Sequence, residues 1–303
     1  MERIMSPLHL AAAIAASVAL VASVHSAMTA AQESEKLADT LDEDSEVLDY
    51  RIVPSVIRSS ARLTYEEAQA VLDGGDSPLA DDITVLGRLA RRLTERRTDR
   101  GAINFDLPEV RVVLNEAGVP VDIVRKERTM AHRLIEEFMI LANETVARHA
   151  GARPFVYRIH EHPDRERIRQ LVAYVRAFGY GISSQEGQIT PQELNRLLSE
   201  ARGRPEEPVI TENALRAMSK ARYAPGNIGH FGLASRNYTH FTSPIRRYPD
   251  LMVHRLLRSM ANGEEPADPD ELKRRCDHCS ERERAADDAQ RDSVKLKQVQ
   301  FMQ

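Results

Sequence analysis

Cysteine and lysine are scarce in this chain of 303 residues. Two cysteines exclude a disulfide framework. Fourteen glycines and fifteen prolines are too few for a collagen-like or proline-rich low-complexity chain. No internal repeat is visible. Lysine occurs six times against 36 arginines. That ratio fits a GC-rich coding sequence, and it also permits bidentate anion contacts, which arginine makes better than lysine. A hydrophobic fraction of 42% beside 29% charged residues excludes global disorder. The length suits one large domain or two small ones. The net charge of −4 conceals an asymmetry. Residues 1–50 carry two bases and nine acids, a net of −7, and the remainder carries 40 bases and 37 acids, a net of +3.

The first 32 residues are a separate object. Residues 8–24 lack charge and are rich in Ala, Val, Leu and Ile, and Val24 and Ser26 suit a −3/−1 cleavage pattern. The run resembles a secretory signal, or an Ala-rich amphiphilic helix, or translation from a misplaced start. Seventeen Ala-rich residues sit at the short edge for a membrane span, so no stable span is expected. Residues 33–49 are acidic and hold few apolar side chains, so they read as a linker or solvated helix. A domain boundary is expected near Tyr50, with one domain over 50–303.

The body reads as α+β with a mainly helical end. Thr64-Tyr-Glu-Glu67 is a capping-box pattern opening a helix that Gly74 and Gly75 end. Helices are expected over 81–98, 129–149, 164–178, 191–201, 211–222, 245–260 and 268–301. Residues 110–124 read as a β-hairpin closed by Asn115–Gly118, and 155–159 as a short buried strand.

The densest chemistry lies in 237–250, NYTHFTSPIRRYPD. Pro244 suits the first turn of a helix capped by Thr242 or Ser243. The free N–H groups of such a helix start, with Arg246 and Arg247 beside them, suit an anion. Aromatics next to arginines suit the bases and phosphates of a single-stranded nucleic acid. A capped helix with core aromatics, its arginines paired to acids such as Asp250, accounts for the same residues. Cys276-Asp-His-Cys279 supplies one Cys pair plus His278 with no second pair, so buried or surface thiols are expected rather than zinc ligands. His160 and His162 share a strand face, which favours hydrogen-bonded histidines over a metal site. Glu136 and Glu137 lie where the apolar stripe of 129–149 passes. One carboxylate there could meet a sugar hydroxyl, or simply pair with Arg133.

Residues 238–257, YTHFTSPIRRYPDLMVHRLL, resemble the signature of the ribonuclease II/ribonuclease R family catalytic (RNB) domain. VIRSSARLTYEE (56–67), HRLIEEFMILAN (132–143), FVYRIH (155–160), GHFGL (229–233) and HCSERERAAD (278–287) resemble further family segments in the same order. The resemblance runs from about residue 50 to the end. It implies a cytoplasmic 3′→5′ exoribonuclease that releases nucleoside 5′-monophosphates from single-stranded RNA with two divalent ions, usually Mg²⁺. By motif position it implies Arg246 as the catalytic arginine at the scissile phosphate. It implies Tyr65 near the reacting centre, Glu136 or Glu137 at the terminal nucleotide, and Arg247, His240 and Ser243 as further RNA-binding residues.

The family's metal ligands are aspartates at fixed spacing upstream of the segment resembling 56–67. The acids between Asp39 and Asp49 do not reproduce that spacing, and the β-rich stretch between is missing too. The family's cold-shock and S1 domains also have no counterpart here. The expectation is therefore a mainly helical C-terminal part of an RNB-type domain with a truncated β portion. Such a chain is expected to be inactive alone, as a gene fragment, the product of a frameshift, or one half of a split enzyme whose other polypeptide carries the metal site. A non-catalytic RNA-binding remnant or pseudoenzyme is the alternative.

Overall fold

The computed structural model describes residues 34–303 except 43–44, 57, 60, 106–109 and 184–186. The signal-like segment 1–32 lies outside the described residues. Among the described residues, six short strands form three antiparallel pairs, the first two of them hairpins, and eight α-helices surround them: an α+β fold that is mainly helical, as expected.

The first hairpin is where the sequence reading and the structure part. The stretch read as an acidic linker holds β1 (Ser34–Leu41) and leads into β2 (Val47–Ser55), which pair with Leu37 opposite Ile52 and Asp39 opposite Tyr50. Alternate residues of a strand share a face. Leu37, Asp39 and Leu41 are all buried, so the middle inward position is an aspartate. That acid breaks the apolar alternation a strand would show, which is why the pattern reads as solvated.

Three apolar clusters hold the chain. The hairpin β1–β2 lies on the first of them. That cluster joins Leu37 to Ala142 and Val146 of α3 (Met130–His149), Met252 and Val253 of α7 (Tyr248–Ala261), and Cys276 of α8 (Pro269–Met302). Beneath it run β5 (Tyr157–Ile159) and β6 (Arg222–Ala224). The second cluster packs α4 (Arg165–Arg176), α5 (Pro191–Ala201) and α6 (Glu207–Ala217) around Leu194, Leu197 and Ile210. The third joins α1 (Tyr65–Leu72) and α2 (Ala80–Asp99) to the other side of α3, through Leu86, Ala90, Leu93, Leu134 and Phe138. Helix α3 thus shows apolar side chains to two cores at once, which explains why its interior residues are nearly all buried.

Local signals set most boundaries. Thr64 Oγ1 accepts from Glu67 N at 3.1 Å, and Glu67 Oε2 accepts from Thr64 N at 2.6 Å, so the expected capping box is formed. Asp164, Thr190 and Asp268 cap three further helices through their side chains. Helix α6 starts four residues before its expected position, because Pro208 sits in the first turn, where its missing N–H costs nothing. The hairpin β3 (Val110–Leu114) and β4 (Pro120–Arg125) forms as read, and Lys297 of α8 donates to Gly118 O in its turn at 2.8 Å. Both cysteines are free, and burial pushes the Cys276 thiol up to about 12, so it is an inert core side chain. Among the described residues, no helix is long and apolar enough to cross a membrane.

Candidate functional site

The segment 238–250 crosses the junction of α3, β5 and α7, and it is fastened from every side. Thr239 Oγ1 donates to Val156 O beside β5. Asn143, buried on α3, accepts from Phe241 N through Oδ1 at 2.9 Å, and its Nδ2 donates to Tyr238 Oη at 3.2 Å. From α7, His254 Nε2 donates to Phe241 O at 3.0 Å, and its ring stacks on Phe241 with centroids 4.4 Å apart. Two helices therefore hold one irregular segment by buried hydrogen bonds, an arrangement that is rigid and costly to rearrange.

Beyond Phe241 the chain turns at 244–246 and enters α7 only at Tyr248. The expected start near Ile245 is thus corrected. Neither Thr242 nor Ser243 caps the helix; the cap position belongs to Arg247, whose backbone is extended (φ −124°). Pro249 takes the first turn in place of Pro244. The turn itself closes when Arg246 N and Arg247 N both donate to Ser243 O.

The two arginines have different fates. Arg247 is half-buried and donates from Nη2 to Asp250 Oδ1 at 2.8 Å. Arg246 is exposed, and its guanidinium bonds to no described residue. Ile245 and Tyr248 on either side of the pair are exposed as well, 69% and 50%. A free guanidinium between two exposed apolar side chains suits a phosphate with a base beside it. Thr242 Oγ1, Ser243 Oγ, Arg247 Nε and Asp250 Oδ2 are all buried without a hydrogen-bond partner in the structure. Buried polar atoms are ordinarily paired, so this concentration of unpaired ones marks the segment.

Below the turn lies a ladder of rings. His240 Nδ1 meets Tyr223 Oη at 2.8 Å; Tyr238 packs edge-on between His240 and His230, and His230 packs against His160. Burial, with Arg247 and Arg158 adding to it, pushes His240 down to about 2. Burial likewise pushes His230 down to about 3, with His160 and Arg158 adding to it. These rings are neutral hydrogen-bonding groups, not cations for a phosphate. His160 donates from Nε2 to Ser219 O at 2.7 Å and accepts at Nδ1 from Gly232 N at 3.0 Å, the hydrogen-bonded histidine expected from its position.

The remaining expected residues gather around α3 and α1. Tyr65, 39% exposed, stacks flat on His132 with centroids 3.9 Å apart. His132 Nδ1 in turn accepts from Thr129 Oγ1 at 2.8 Å. Glu136 is half-buried and paired with Arg128. Glu137 is 4% exposed and accepts a fork from Arg97, at 3.1 Å from Nε and 2.6 Å from Nη2. Its carboxylate binds α2 to α3 and is turned away from solvent. Sequence reasoning missed Asn143 and His132; Asp250 was read as an ion-pair partner of the arginines, and it pairs with Arg247. For Asn143 the signal was present, since a polar side chain continues the apolar stripe of Phe138, Leu141 and Ala142.

Among the described residues, no group of three or more His, Cys, Asp or Glu side chains could hold a metal ion.

A family profile for the RNB domain matches residues 37–263. Ribonuclease R of Thermotoga maritima is 44% identical over 278 residues, covering 86% of this chain and 39% of that protein. Ribonuclease R of Aquifex aeolicus is 42% identical over 285 residues, covering 88% and 40%. Ribonuclease R 1 of Lactococcus lactis is 40% identical over 273 residues, covering 86% and 33%. The chain therefore spans about a third to two fifths of these relatives. Among solved structures, Mycoplasma genitalium RNase R in complex with ribose-methylated single-stranded RNA superposes with a TM-score of 0.81 at 24% identity, covering 90% of this chain and 45% of that one. Yeast Ssd1, a pseudonuclease, superposes at 0.64 and 22% identity, covering 84% and 33%. The superpositions establish a shared fold. With the profile spanning most of the chain and these three relatives each a ribonuclease R at 40–44% identity, this protein belongs to the RNB domain family.

Proposed function

We propose that this chain is the RNA-gripping part of a 3′→5′ exoribonuclease of the ribonuclease R type, acting on single-stranded RNA to release nucleoside 5′-monophosphates in the cytoplasm. The observation that carries the reading is Arg246, an exposed guanidinium that bonds to no described residue, on a turn fixed by α3 and α7. A rigid, free cation at that place neutralises charge developing on a phosphate without first leaving another partner. Tyr65 supplies a half-exposed ring for a base, and Glu136, half-buried and paired with Arg128, a carboxylate for the terminal ribose. Ser243 faces the same turn. Arg247 and His240 act from behind it, since Asp250 and Tyr223 hold their polar groups. Glu137 contributes by fixing α3 rather than by touching RNA.

Hydrolysis in this family uses metal ions, and the sequence lacks the aspartate cluster that would bind them. The residues of this chain then bind RNA without cleaving it, and the metal ions are held by residues outside them. The test is to incubate the purified chain with uniformly labelled single-stranded RNA and Mg²⁺, and to measure RNA affinity against salt. No mononucleotide release is expected, with an affinity whose salt slope falls by about 0.7 in Arg246→Ala, one phosphate contact on a single strand. Mononucleotide release lost in Arg246→Ala would overturn the claim of inactivity. A salt slope of zero would remove the RNA-binding reading altogether.

A further inference from the structure

Asp250 is wholly buried on the first turn of α7, yet only one of its two oxygens is satisfied. Oδ1 accepts from Ser243 N at 2.7 Å and from Arg247 Nη2 at 2.8 Å. Those two residues flank the turn that carries Arg246. One carboxylate oxygen thus closes the turn from both ends, while the turn's own bonds run from Arg246 N and Arg247 N to Ser243 O.

The charge pattern around it is as pointed as the geometry. A carboxylate removed from water beside two adjacent arginines could take either one. Here it takes Arg247 and leaves Arg246 in solvent. Burial pushes the Asp250 carboxyl up, and Arg247 and the Ser243 N–H oppose that shift. Oδ2 gains nothing from the surrounding fold, so stability alone does not account for a charged group at this place.

We propose that Asp250 is a positioning residue: it clamps the 243–247 turn and occupies Arg247, so that Arg246 alone is aimed outward as the phosphate-binding guanidinium. The clamp is the link between the end of α7 and the RNA-facing turn. This rests on the RNA-binding reading above, and the test separates the two.

The experiment is a double-mutant cycle in the full chain, read by the affinity for a fluorescent single-stranded RNA across a salt series. In the wild-type background Arg246→Ala is expected to weaken binding about tenfold, the effect of losing one charge-assisted hydrogen bond. In the Asp250→Ala background the same change is expected to cost less than about twofold, because the guanidinium is no longer held in place. The salt slope is expected to follow, falling by about 0.7 with Arg246→Ala in the first background and not in the second. A general loss of stability would lower affinity in both backgrounds without removing the coupling. A full tenfold cost of Arg246→Ala in folded Asp250→Ala protein overturns the proposal. If Asp250→Ala does not fold, Arg247→Met removes one arm of the clamp while Ser243 N keeps the other. The Arg246→Ala cost is then expected to shrink to about threefold, and an undiminished cost again overturns the proposal. No effect of Arg246→Ala in the wild-type background refutes the RNA-binding reading instead.

Discussion

Replacing Asp39 by asparagine should stabilise the protein at neutral pH and flatten the dependence of its stability on pH. Asp39 lies on β1 opposite Tyr50, wholly buried, and neither carboxylate oxygen has a hydrogen-bond partner in the structure. Burial pushes its carboxyl from 3.8 up to about 7, with Arg148 opposing the shift. Each unit of such a shift corresponds to about 1.4 kcal/mol, so ionised Asp39 costs the fold on the order of 4 kcal/mol at pH values above its folded pKa. The folded pKa lies above the unfolded one, so between about pH 4 and pH 7 the folded state holds more protons. Stability from this group is therefore fully present below about pH 4 and lost as pH rises through about 7. Asparagine keeps the shape and has no charge to bury. Urea unfolding of both proteins from about pH 4 to pH 8 measures the difference. The variant is expected to gain up to about 4 kcal/mol over wild type across that range. Parallel stability curves for the two proteins would refute the reasoning, since they would mean that Asp39 is as easily ionised in the fold as in the unfolded chain.

Glu137→Gln should destabilise by about 3–5 kcal/mol, because it strands the guanidinium of Arg97, itself 12% exposed, in the interface of α2 and α3. Thermal unfolding checks this, and a Glu137→Leu, Arg97→Met double variant should recover most of the loss. Thr64→Ala should cost about 1 kcal/mol by opening the capping box of α1, read as faster amide exchange in residues 65–72.

The helices were legible because their signals are local. A side-chain cap, an apolar stripe and a terminal glycine lie within a few residues of one another, and α1, α3, α5 and α8 begin and end within two residues of where those signals place them. The hairpin β1–β2 was not legible because its inward face carries Asp39, and an acid in a core position is identified only by what surrounds it. The site was legible as a segment and not as an arrangement. The string 237–250 announced aromatics, hydroxyls and arginines together. It did not announce that Asn143, nearly a hundred positions earlier in the chain, is the buried hydrogen-bond partner of both Tyr238 and Phe241. Nor did it show which glutamate of the adjacent pair on α3 faces inward. The helical period allows either, and Arg97 of α2 decides it.

The start of α7 shows how much hangs on one boundary. Were the helix to begin near Ile245, with Ser243 as its cap, Arg246 and Asp250 would stand four residues apart on one helical face and would pair. Arg246 would then be spent within the helix, and its guanidinium would have to leave a carboxylate before it could meet a phosphate. The helix instead begins at Tyr248, with Pro249 in its first turn and Arg247 as its extended cap residue. That delay converts residues 244–246 into a turn, sends the Asp250 carboxylate back to Ser243 N and Arg247, and leaves Arg246 in solvent. Two neighbouring arginines that composition cannot tell apart are thus divided into one that holds the loop and one that is free to bind, and the division is made by where the helix starts.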